Sequence, residues 1–388
     1  MIRWTVVALL TVHGLIHLMG FAKAFDYVEL PQITQPISRE MGLLWLAAGL
    51  LVIATAVMMA AAWQRVWVVG AVALAISQAV ILSAWSDAGA GTLANIVLLL
   101  VVVHAWFTYG PRSFRAQFAR DGAAGVARPL KLSTVIDADL APLPAPVQRY
   151  LRAVGVVGQP RVSNYRLRFR GRIRSGPDSR WMPFEVDQQS FADQPTRLFL
   201  MRARMFGLPV EVFHRLIGGH ATMQVKLAGV IPLVDAHGDE MDRSETVTLF
   251  NDMCLLAPAT LLAPEIVWEP ADALTTRARF TNGAHTISAT LLFGEDGLLT
   301  NFVADDRSRA SPDGKTFTPC RFSTPVRDYR DFGRVRLAAH GEARWLLPAG
   351  EFTYGEFDLQ EVAYNVGDRR QAESPLDRGH RPAVLVNS

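Results

Sequence analysis

Three groups of residues in this 388-residue chain carry potential chemistry. The first is a set of histidines inside apolar runs: His13 and His17, one helical turn apart, and His104 much later. Ionisable groups are costly in hydrocarbon, so such residues mark a ligand site, a proton relay or a bonded helix contact. A haem bridging His13 and His104 needs equal depths. His13 lies about 15 Å from the inner end of its helix and His104 about 7–8 Å, at about 1.5 Å per residue. The chemistry reduces to neutral imidazoles bonded across helices, with Ser77, Gln78 and Asn95 as partners, and no cofactor is implied. The second group is a row of arginines, Arg166, Arg168, Arg170, Arg172 and Arg174, alternating with Leu167, Phe169, Gly171 and Ile173. Period two places all five on one strand face, where they form either an anion-binding stripe for lipid headgroups or a solvated, ion-paired surface. The third is Asp235, His237, Asp239, Glu240 and Asp242, a mixed carboxylate and imidazole cluster. Such a set could hold a metal for hydrolysis, but it lacks a distant third anchor, and no metal ligand set is assigned. There is no G-x-S-x-G elbow, P-loop, H-E-x-x-H or dinucleotide fingerprint.

These residues must be positioned by two kinds of element. Residues 1–111 contain four apolar runs, Trp4–Phe21, Met41–Trp63, Val66–Trp85 and Thr92–Tyr109, each long enough for a hydrocarbon core of about 30 Å. Trp4, Trp63, Trp67, Trp85, Trp106 and Tyr109 mark their ends, as an aromatic belt requires. With the N-terminus inside, Arg3, Arg65, Arg112, Arg115, Arg120, Arg128 and Lys131 fall on the inner side, and only Lys23 and Arg39 outside. The bias predicts a multi-pass protein of the bacterial inner membrane with a cytoplasmic C-terminal domain. A cleaved signal ending at Ala22-Lys23-Ala24 is the alternative for the first run, and it leaves the later orientation unchanged.

Residues 112–142 read as a basic juxtamembrane linker. Arg112, Arg115, Arg120, Arg128 and Lys131, interleaved with Phe114 and Phe118, suit a short helix on an anionic leaflet, and Gly122–Gly125 loosen the chain after it. The remaining basic and acidic residues nearly balance, which excludes the spread basic face of a nucleic-acid-binding domain. Residues 143–366 read as an α+β domain. A proline-started helix spans about 143–151, and strands follow from about Pro160. A turn at Ser175–Ser179 sets Arg170 opposite Glu185 and Arg168 opposite Asp187. Asp242 and Glu245 form a capping box for a helix carrying Val247, Phe250 and Cys254. Strands then resume at about 274–281, 285–293, 298–305, 316–323, 334–346 and 352–364. The whole is a curved antiparallel sheet with a helix on its concave face. Cys254 and Cys320 read as a pair of buried free thiols, with a single bridge between them as the alternative in an oxidising compartment. Residues 367–388 read as a disordered tail.

Leu143-Pro144-Ala145-Pro146-Val147-Gln148-Arg149-Tyr150-Leu151, the run from Pro232 to Asp242 and the run from Phe352 to Phe357 resemble an uncharacterised bacterial family whose domain has no known function. The resemblance covers about 143–365. The layout is also similar to the half-barrel of periplasmic lipoprotein carriers, a LolA-like form. That resemblance implies an apolar concavity able to hold acyl chains, although those carriers act outside the cytoplasm. The resulting expectation is a membrane-tethered, non-enzymatic module that binds a lipid or other apolar ligand, with the bilayer and another membrane protein as partners and no nucleic acid. A metal-dependent hydrolase built on the 235–242 cluster and a structural or sensory protein are the alternatives.

Overall fold

The computed structural model describes residues 2–130, 132–270 and 272–367; Lys131 and, of the tail expected over 367–388, all but Gly367 lie outside the described residues. The chain divides into two compact units, Met1–Gln117 and the chain from Phe118 onward.

The first unit holds α1 (Ile2–Ala24), α2 (Arg39–Ala60), α3 (Val66–Ser83), the single turn α4 (Trp85–Ala88) and α5 (Gly91–Tyr109). Four of these are long and apolar enough to cross a membrane. They are apolar all round, so they present Leu9, Val12, Ile16, Leu43, Leu50 and Val57 outward while burying Leu10, Val52, Ala73 and Leu98 between them. Small residues set the closest crossing: a Cβ on Gly14 would lie 3.0 Å from the carbonyl of Gly49, and Gly20 sits on the Trp45 ring. Ser38 caps α2 by accepting from the Met41 amide at 3.2 Å.

The second unit is α+β. Helix α6 (Phe114–Val126), whose first four residues belong to the first unit, and α7 (Ala145–Ala153) precede β1 (Asn164–Ile173), β2 (Met182–Phe191), β3 (Thr196–Met205), β4 (Leu208–Ile217), β5 (His220–Leu227) and β6 (Ile231–His237). The long helix α8 (Asp239–Leu256) follows. Then come β7 (Ile266–Trp268), β8 (Thr275–Asn282), β9 (His285–Phe293), β10 (Leu299–Ala304), β11 (Ser308–Ala310), β12 (Phe317–Pro319), β13 (Phe322–Ser323), β14 (Val326–Asp331), β15 (Arg336–Leu347) and β16 (Gly350–Tyr364). Fourteen strands form one antiparallel sheet in the order β6-β5-β4-β3-β2-β1-β16-β15-β13-β10-β9-β8-β7, with β14 paired to β15. Bulges at Arg168/Phe169, Val225/Lys226, Leu299/Asn301 and Ala343/Arg344 bend the strands. The sheet curls into a half-barrel, and α8 lies against its concave side. Alternation along β1 puts Leu167 and Phe169 inside and the arginines on the convex face.

Two sequence expectations change here. The basic segment is a helix, but its aromatic face turns toward protein. Phe114 and Phe118 are 2% and 8% exposed, and Phe118 meets the Phe213 ring at 6.4 Å. Gly122 and Gly125 are not loosening residues; they are the smooth side of α6, resting on Gln189 and Phe191. Asp121 pairs with Arg215 at 2.7 Å. The second change concerns α8, which starts earlier than expected, after Gly238 at φ +96°. Asp242 and Glu245 therefore sit inside the helix and reach for the sheet instead of capping their own backbone.

Candidate functional site

Helix α8 is buried from Met241 to Leu256 apart from Arg243, yet it carries Asp242, Ser244, Glu245, Thr246, Thr248, Asn251 and Asp252 among its apolar residues. Buried polar groups persist only with partners, and the sheet supplies them. The Ala221 amide donates to Asp242 at 2.6 Å, and His220 Nδ1 lies 3.3 Å from the same carboxylate. The Ser308 amide donates to Ser244 Oγ at 3.1 Å. The main cluster centres on Arg197 of β3, which is 6% exposed. Its Nε donates to Asp252 at 2.6 Å and its Nη1 to Glu245 at 3.2 Å. His214 of β4 donates from Nδ1 to the other Glu245 oxygen at 3.0 Å, and Gln188 of β2 donates to Asp252 at 2.7 Å. Burial opposes ionisation of Glu245, but His214 and Arg197 outweigh it and hold the carboxyl at about 2. Arg197 also lies 4.7 Å over the Phe199 ring.

Between this cluster and the sheet lies a cavity of about 460 Å³. Its walls are mostly apolar: Phe169, Phe199, Met201, Val212, Met223, Val225, Leu255, Trp345 and Phe357. Arg197, His214, Glu245 and Asp252 form one polar wall, and Arg307 faces into it from the loop before β11. The Arg307 guanidinium sits 4.0 Å over Phe322 and 5.1 Å over Trp345, and Nη1 donates to Tyr354 Oη at 3.3 Å. Among the described residues it makes no ion pair with a carboxylate. The cavity can therefore hold an apolar body while offering a guanidinium to an acidic group.

The residues singled out from sequence fall elsewhere. Arg168, Arg170 and Arg172 pair on the convex face with Asp187 at 3.6 Å, Glu185 at 3.5 Å and Glu356 at 2.7 Å, and Arg168 also lies 3.5 Å from Glu361. Arg166 is half-buried on the same face. The pairings expected for Arg168 and Arg170 are present, and none of these four arginines borders the cavity; only Arg174, at the end of the row, does. Asp235 bonds to Gln224 at 3.0 Å, and His237 lies 4.0 Å from Asp235 on an exposed edge. Among the described residues no three His, Cys, Asp or Glu side chains converge as a metal would need. Arg112 and Arg120 are exposed, Arg115 covers the Tyr109 ring at 5.3 Å, and Arg128 pairs with Asp193 at 3.4 Å. Cys254 and Cys320 are both free; Cys254 is buried as expected, but Cys320, between β12 and β13, is only partly buried, its thiol 3.2 Å from the Leu346 carbonyl. In the helical unit, His13 Nε2 lies 3.0 Å from Asn95 Oδ1 and His17 Nε2 2.8 Å from Ser77 Oγ, with Asn95 donating on to Gln78 at 3.0 Å. The polar partners expected for His13 and His17 are thus the ones present. His104 is exposed on α5, nine residues and about 13 Å along the helix from Asn95.

No curated protein matches this chain in sequence. The crystal structure of a DUF1329 family protein from Desulfovibrio piger is similar over 61% of this chain and 96% of that one, at 13% identity and a TM-score of 0.34. Residues 133–357 match the model of DUF6544, a family of unknown function, and the chain belongs to that family.

Proposed function

We propose that the chain is a membrane-tethered binding module whose half-barrel takes up an apolar molecule bearing an acidic group, such as a long-chain fatty acid. The observation that carries this reading is the apolar cavity of about 460 Å³ between α8 and the concave sheet, faced by Arg307. Each methylene moved from water into such walls stabilises by about 0.8 kcal/mol, so a chain of ten carbons gains enough to bind even after ordering costs. Arg307 already rests on two rings, so its planar fork is held ready for a carboxylate. The open cavity weighs toward ligand carriage and against a purely structural or sensory contact domain. The four apolar helices support a tether in the bilayer. Exposed Arg112 and Arg120 support contact with an anionic leaflet, and the distribution of Arg3, Arg65 and the basic run after α5 supports a cytoplasmic half-barrel of the inner membrane.

The test uses the full-length protein in nanodiscs and a fluorescent C16 fatty acid, with empty discs as blank. Saturable uptake is expected. Val212→Trp, which fills the cavity, should abolish it. Arg307→Gln should weaken the acid by roughly tenfold while leaving the matching alcohol unchanged. Uptake unaffected by Val212→Trp in a folded variant would sink the reading.

A further inference from the structure

Strands β3 and β4 turn on Phe206 and Gly207, between the paired residues Met205 and Leu208. Both turn residues have positive φ, +52° and +82°. A two-residue turn of this kind favours Asn or Gly, because a bulky side chain crowds its own backbone there. Here the first position holds phenylalanine, and it is 96% exposed. The neighbouring hairpin of β5 and β6 turns at the same end of the sheet, through Ala228 and Gly229, also at positive φ. The Ala228 amide donates to the Pro209 carbonyl at 2.7 Å and joins the two tips.

Around these turns the chain carries no charge from Met205 to Val210 or from Leu227 to Val234. Leu208, Val230, Ile231 and Leu233 are exposed, so together with Phe206 they make this end of the four strands apolar. The turn at the other end of β3, Ala192–Pro195, has the ordinary polar make-up, with Asp193 and Gln194. Nothing inside the domain repays the strain at Phe206, since its ring stands almost wholly in water. A bulky residue held out in this way points to something outside that receives it. Five side chains on two narrow hairpins fall well short of the roughly 20–30 residues that a stable protein partner covers. Their size suits hydrocarbon instead, and Arg204, exposed two residues before Phe206, supplies positive charge for anionic headgroups. The four helices long and apolar enough to cross a membrane keep a bilayer within reach.

We propose that the β3–β4 and β5–β6 tips insert into the headgroup and upper acyl region of an anionic lipid bilayer, with Phe206 as the leading side chain. This docking needs the membrane tether inferred above but not the ligand. It adds to that reading all the same: Met223 and Val225 of β5 and Val234 of β6 line the half-barrel cavity, so the strands whose tips enter the lipid also form part of the cavity wall.

The test is photolabelling of the full-length protein in nanodiscs of phosphatidylcholine and phosphatidylglycerol. A phosphatidylcholine with a diazirine on its acyl chain is placed in the discs, or, in a second sample, in added vesicles of the same lipids. Illumination turns the diazirine into a carbene, and its adducts are mapped by mass spectrometry. Adducts are expected on Phe206, Leu208 and Ile231 in at least one sample, and none on the opposite turn at Ala192–Pro195. Phe206→Asn installs a residue that the turn favours and removes no packing, so this variant should melt no lower than the parent. Its adducts on Leu208 and Ile231 should nevertheless fall at least about tenfold. Tips free of adducts in both samples, tips labelled no more than Ala192–Pro195, or labelling undiminished in Phe206→Asn would each overturn the proposal. Unlabelled tips on a protein that is dimeric, and monomeric as Phe206→Asn, would assign them to a second copy and overturn it too. Adducts on Met201 and Val212, which line the cavity, report lipid there separately, so either reading can fail without the other.

Discussion

Arg197 is the residue on which the interior of the half-barrel turns. It holds two carboxylates from one helix, and each is nine-tenths or more buried. Removing one member of such a set leaves an uncompensated charge and typically costs about 3–5 kcal/mol. Its pH dependence is specific. The Glu245 carboxyl falls from 4.5 to about 2 on folding, so the fold favours its ionised form. That contribution is fully present above about pH 4.5 and is lost as pH falls toward 2; it amounts to something on the order of 3 kcal/mol. Thermal melting of the full-length protein should therefore weaken between pH 5 and 2.5. Glu245→Gln should melt lower at neutral pH yet lose less on acidification. Parallel pH slopes for the two proteins would contradict this. The misfit was visible in the chain: Arg197 heads a row in which Phe199, Met201 and Ala203 point inward. Its partners were not visible, because Glu245 and Asp252 lie 48 and 55 residues away and no spacing rule links them.

At the level of elements, periodicity served well where one face was wet and one dry. Alternation assigns the two faces of β1, and the turn expected at Ser175–Ser179 gives the register of β1 on β2, with Arg170 opposite Glu185 and Arg168 opposite Asp187. Short strands such as β7 and β11 carry too few residues to show a period, and they exist because their neighbours pair with them. Helix α6 misled for a different reason. Basic and aromatic residues at helical spacing suit a membrane surface and a protein groove equally well, and only the glycines favour the groove. Gly125→Leu would drive a side chain into the Phe191 ring, at an overpacking cost of about 1–3 kcal/mol. Hydrogen exchange over 118–126 should speed up in this variant, while the strands flanking α8 keep their protection. Unchanged exchange over 118–126 would mean that α6 does not rely on this contact.

On the scale of the whole molecule, the two thiols offer a built-in reporter of topology. Cys254 is sealed in the core, whereas Cys320 is partly exposed. Burial raises the Cys320 thiol above its usual range, so labelling calls for mildly alkaline buffer. If the half-barrel is cytoplasmic, a membrane-impermeant maleimide should modify Cys320 only after spheroplasts are opened. Prompt reaction in intact spheroplasts would place the domain on the other side.

The pairing of β1 with β16 has its own consequence for how the protein is made. Tyr165 lies beside Tyr364, so the first and last strands of the domain meet in the middle of the sheet and not at its margin. A ribosome delivers these partners about 200 residues apart, and at roughly 5–20 residues per second the wait is at least ten seconds. The apolar helices emerge first and can be inserted during that interval. The half-barrel can close its central seam only once β16 has left the ribosome, and until then β1 is a bare edge in need of protection.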